Sequence, residues 1–139
     1  MKSRPIVMGP VICSRKLVGK APGKKKLTAT VRIGKPRRHK RDWVCPFFIS
    51  RIGPGHPVLA HGVDSAQALI MALVGIRATI DKSGTVWTWV HGEKGDTGFP
   101  RVVPMGFGMN FSRKLEQLVD SEVVSFARAA ERRSKRRSK

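Results

Sequence analysis

The chain has 139 residues, 40% of them hydrophobic and 27% charged, with a formal net charge of +19 and a pI near 11.5. That length holds one hydrophobic core, and the charge makes a polyanion the first partner to consider. The longest apolar run, Ala68 to Ile76, is too short to span a bilayer, and Cys13 and Cys45 fit neither a disulfide framework nor a CxxC metal site.

The positive charge is unevenly spread. Residues 1–41 hold 14 Lys or Arg and no acid; residues 42–130 hold 8 of each sign; residues 131–139 hold 6 basic residues against Glu131. The excess therefore lies at the two ends of the chain. The first sixteen residues are interrupted by Pro5, Gly9 and Pro10 and make a poor signal peptide, so the expected compartment is the cytoplasm.

Residues 1–10 lack periodicity and read as a loose basic arm. Val11 to Val18 reads as an exposed edge strand, and Ala21-Pro22-Gly23 as a turn. Leu27 to Ile33 alternates strictly, the mark of a half-buried strand that pairs with the first. Gly34 to Asp42 is a basic loop. Trp43 to Ile52 resumes the period of two, with Trp43, Cys45, Phe47 and Ile49 on one face, and Pro57 to His61 adds a short strand.

Asp64 followed by Gln67 predicts a capping box at the start of a helix reaching Asp81. That helix is apolar almost all round, which predicts a central, buried position, with Leu69, Leu73, Ile76 and Ile80 on one face. Thr85 to Val90 is a strand whose Trp87 and Trp89 share a face. Residues 91–110 form an irregular Gly/Pro-rich stretch. A last helix begins near Phe111, and after Ala130 a basic tail follows. The predicted order is β-β-β-β-α-β-α, an α+β two-layer domain with an antiparallel sheet of about five strands. The expected organisation is an arm over 1–10, one domain over 11–130 and a tail over 131–139.

The segments SRKL (14–17), TVRIGKPR (30–37), DWVCPFFI (42–49), GVDSAQALIMALVGIR (62–77) and GDTGFPR (95–101) occur in that order. Together they resemble an uncharacterised family of small bacterial proteins. The resemblance implies a bacterial or phage origin and one compact domain, and it brings no activity and no site residues. It also implies that the basic arm, the 35–41 loop and the tail are additions to a more neutral pattern.

Three basic clusters are the candidate contacts: Lys24, Lys25 and Lys26; Arg37, Arg38, Lys40 and Arg41; and Arg132, Arg133, Lys135, Arg136 and Arg137. Solvated surface charge would be mixed with acids, as it is in residues 42–130, whereas unrelieved charge points to phosphates. Trp43, directly after the second cluster, is the candidate for stacking on bases. Trp87 and Trp89 read as core, and Cys45 as a small buried hydrophobe. Glu93 and Asp96 lie in a loop that lacks the ExK spacing of a metal nuclease, and His56, His61 and His91 lack ligand spacing. No cofactor or metal is expected. The leading expectation is a non-enzymatic, phosphate-directed nucleic-acid-binding protein, for DNA or RNA. The alternative is a protein-binding module whose basic surface docks on an acidic or nucleic-acid-mimicking protein, with an edge strand free for augmentation or homodimerisation. A small hydrolase and a membrane-surface protein rank below both.

Overall fold

The computed structural model describes residues 6–101 and 106–137. The first half of the arm, residues 102–105 of the irregular stretch and the last two residues of the tail lie outside them. The elements are β1 (Val11–Lys20), β2 (Leu27–Gly34), β3 (Arg37–His39), β4 (Asp42–Ile49), β5 (Val58–Gly62), α1 (Ser65–Asp81), β6 (Val86–Trp89) and α2 (Met109–Arg137). Residues Met1–Arg101 and Val102–Lys139 pack as two compact units. The architecture is α+β, as the periodicity predicts. No helix among the described residues is long and apolar enough to cross a membrane.

All pairings in the sheet are antiparallel. β4 meets β5 along one side and both β2 and β3 along the other, β2 continues to β1, and the C-terminal half of β1 meets β6. The basic loop of the sequence reading is thus partly a strand. Arg37 pairs with Val44 and His39 with Asp42, so β3 prolongs the β2–β4 hairpin to a tip at Lys40-Arg41. Lys40 sits at φ 56, a left-handed conformation that a side chain disfavours and a tight turn demands.

The expectation that β1 is an edge strand holds only for part of it. Leu17 to Lys20 pair with β6, while among the described residues Val11 to Lys16 pair on the β2 side alone. The period of two cannot reveal this, because alternation reports faces and not neighbours.

Leu17, Ala29, Val31, Ile33, Cys45, Phe47, Ile49 and Trp87 line one face of the sheet and form the core with α1. The Asp64 side chain accepts from the Gln67 amide at 2.7 Å, and the Gln67 side chain accepts from the Val63 amide at 2.7 Å. The capping box is therefore formed, its return bond reaching one residue before the cap. The helix itself is less central than its composition suggests. Ala68, Ala72, Ile76 and Ile80 are buried, Leu69 and Leu73 only partly, and Ile70 and Met71 remain 51% and 44% exposed. The sheet covers α1 on one side only, and the small side chains at 68 and 72 let the backbones come close.

The second half of the arm is not loose. Pro10 accepts from the Lys35 amide at 2.8 Å and Val7 from the Arg37 guanidinium at 2.8 Å. Gly34 makes this approach possible, since a Cβ there would fall 2.5 Å from the Met8 carbonyl oxygen and 2.6 Å from the Pro46 ring. Val44 and Pro46, which point away from the core, are buried in this region.

α2 also differs from expectation at its end. The apolar residues stop at Ala130, but the helix runs on to Arg137. Arg, Lys and Glu are good helix formers, and Lys135, Arg136 and Arg137 in the last turn face the negative end of the helix dipole. The basic tail is thus largely helical, which stacks Arg128, Arg132 and Arg136 in one row.

Candidate functional site

Because β-strand side chains alternate, the sheet has a second face opposite the core. Cross-strand partners share a face, so the registers assign it. Lys16 lies opposite Thr30, Val18 opposite Thr28 and Thr88, Lys20 opposite Val86, and Arg32 opposite both Ser14 and Phe48. Lys16, Lys20 and Arg32 are exposed, and Phe48 is half-buried beside Arg32. The acid of matching parity is Asp42, at the far hairpin tip opposite His39. From Lys20 to Arg37 this face carries cations, hydroxyls and apolar groups.

At one end, the face runs into a cleft of about 880 Å³ between the β1–β2 turn and β6 with its following loop. Lys20, Lys24, Lys26 and Lys94 line it, together with Val18, Pro22, Val86, Val90 and Trp89. Lys24 and Lys26 were legible as a cluster. Lys20 precedes them on the same hairpin, whereas Lys94 joins them only because β6 pairs with β1, a contact across some seventy residues that leaves no local signal. Lys25 is exposed on the same turn and does not line the cleft.

The other predicted residues have different surroundings. Arg37 is held to the arm through Val7. Arg38 places its guanidinium 5.9 Å from the centre of the Trp43 ring, which also packs partly against the core. The proposed stacking residue therefore already carries a cation. Lys40 and Arg41 project at the hairpin tip, while Arg132, Arg133, Lys135, Arg136 and Arg137 are exposed on α2.

The glycine-rich 92–100 loop is a structural clamp. Asp96 accepts from the Trp89 indole at 3.1 Å and from the Gly98 amide at 2.7 Å, and its backbone carbonyl accepts from the Trp89 amide at 2.8 Å. The Gly98 amide first, and the indole second, hold the Asp96 carboxyl below the usual carboxylate range. Arg15 sits 5.1 Å from the Trp89 ring centre and 4.9 Å from that of Phe99, and donates to the Thr97 and Gly98 carbonyls. Gly98, at φ 65, leaves the space that this guanidinium fills. Arg77 donates to the Phe99 carbonyl at 2.9 Å from the helix side. Neither Arg15 nor Arg77 was singled out from sequence, because each looks like any other surface cation.

Both Asp96 carboxylate oxygens are thus engaged, one by the Trp89 indole and the other by the Gly98 amide. Cys45 is fully buried, its thiol donates to the Gly34 carbonyl at 3.4 Å, and burial pushes its pKa up to about 11. It is a small apolar group at neutral pH. Among the described residues, no three His, Cys, Asp or Glu side chains are grouped to hold a metal ion.

Residues 13–101 match the family described as Domain of unknown function (DUF6968), and the chain belongs to that family. The matched segment contains the whole sheet apart from the first two residues of β1, together with α1 and the Asp96 clamp. Neither the curated proteins nor the solved structures include a match.

Proposed function

We propose that this family member is a non-enzymatic nucleic-acid-binding protein, directed at phosphates and weakly selective for sequence. The observation that carries this reading is the coreless face of the sheet, where Lys16, Lys20 and Arg32 lead into the cleft lined by Lys24, Lys26 and Lys94. Lysine and arginine on a polyanion release counterions, which gives affinity without base reading. β2 and β3 together, Leu27 to His39, are up to about 40 Å of extended chain. The turn and the hairpin tip at Lys40-Arg41 thus provide cations at the two ends of a long track. Arg132, Arg133, Lys135, Arg136 and Arg137 supply further charge from α2.

The test is binding of short DNA and RNA strands by fluorescence anisotropy. The variant Lys16→Gln, Lys20→Gln, Arg32→Gln should bind every sequence more weakly, with a salt slope shallower by about one unit per lost contact. Unchanged affinity and slope would exclude this face.

The alternative, an acidic protein partner, draws support from the unpaired side of Val11 to Lys16, where Val11 and Ile12 are 49% and 50% exposed. A partner strand added there would be sensitive to a proline at Ile12. Nucleic-acid binding would not be.

A further inference from the structure

Cations explain the rim of the cleft beside β6 but not its walls. Val86 and Val90 are 46% and 60% exposed, although both face a cleft ringed by Lys20, Lys24, Lys26 and Lys94. Trp89, held by Asp96 at its indole nitrogen and covered by Arg15, borders the cleft from the core side of β6 and fixes the strand that carries the two valines. Exposed apolar side chains among lysines gain nothing from a phosphate, which needs only the charges. They do gain from a flat, apolar surface carried next to a phosphate.

The volume, about 880 Å³, is within the range of small-molecule sites, and the wall is preformed. Trp89 is locked by the loop clamp, and β6 is hydrogen-bonded to β1. A duplex keeps its base faces stacked inside and presents phosphates and groove edges. A single strand can turn a base outward against an apolar wall while its flanking phosphates meet cations.

The geometry points to single-stranded nucleic acid as the occupant of this cleft, with an unstacked base against Val86 and Val90 and its phosphates on the four lysines. This rests on the phosphate-directed reading above and narrows it to one form of nucleic acid. The base is held by its face, so any base is accepted, and weak sequence selectivity follows.

Two comparisons test it. At low salt, the full chain should bind a single strand about tenfold or more tightly than a duplex of the same length and sequence. The variant Val86→Ser, Val90→Ser should reduce that preference several-fold while leaving duplex affinity and its salt slope unchanged. Both valines are exposed, and a melting curve checks that the variant keeps its fold. Equal binding of single strand and duplex, or an unaltered preference in the variant, would overturn the assignment while leaving phosphate-directed binding intact. A mononucleotide binding as tightly as the strand would also overturn it, because the track outside the cleft would then contribute nothing. Absence of binding to any nucleic acid at low salt would instead overturn the functional reading itself.

Discussion

Asp96 shows how much one side chain can organise. Its carboxylate joins the Trp89 indole to the Gly98 amide, and Gly98 in turn holds Arg15 between two aromatic rings. Because the folded state holds this carboxyl below its ordinary pKa, it stabilises the fold above the unfolded value, and that contribution is lost as pH falls through the folded value. Melting temperature should therefore decline as the solution is acidified below about pH 4. The decline should be smaller in Asp96→Asn, which has no proton to take up there. Parallel acid profiles for the two proteins would show that another carboxylate governs the acid limb. The sequence displayed this loop as a run of glycines and acids open to several readings. Its actual role depends on Arg15, which lies more than eighty residues away and bears no mark of it.

At the scale of the element, the strands were the most legible part. The alternation over Leu27 to Ile33 and Trp43 to Ile49 assigned Val31, Ile33, Cys45, Phe47 and Ile49 to one face, and they are the core. The shared parity of Trp87 and Trp89 also placed both against it. In α1 the sequence marks the cap, but not which residues along the helix are covered. Composition alone cannot separate an apolar helix buried all round from one lying on a sheet with Ile70 and Met71 outside. The difference is measurable. Ile76 is fully buried, so Ile76→Ala should cost about 2–5 kcal/mol by denaturant unfolding. Ile70→Ala should change stability by no more than about 0.5 kcal/mol. Similar costs at both positions would mean that α1 is enclosed after all. α2 illustrates the opposite case, in which propensity and the terminal charges carried a helix seven residues beyond its last apolar side chain.

For the whole molecule, the sequence locates most of the charge but not the surface on which the proposed contacts gather. Lys24 and Lys26 are visible as a cluster, whereas the cleft exists because β1 pairs with β6 and brings Lys94 alongside them and Lys20. Lys16 and Arg32 stand outside the sequence clusters as isolated residues. They become part of one track only when the register sets them on the face opposite the core. Long-range pairing is the piece of information that a single sequence withholds, and here it sets scattered cations on one surface. The proposed function requires this surface to meet phosphates as point charges. The most direct measurement is the affinity of the full chain for a short single strand across a series of salt concentrations. If Lys16, Lys20, Lys24, Lys26, Arg32 and Lys94 each meet a phosphate, the logarithm of the association constant should fall with the logarithm of salt with a slope of about −4. A slope near zero, or no binding at the lowest salt, would contradict the account.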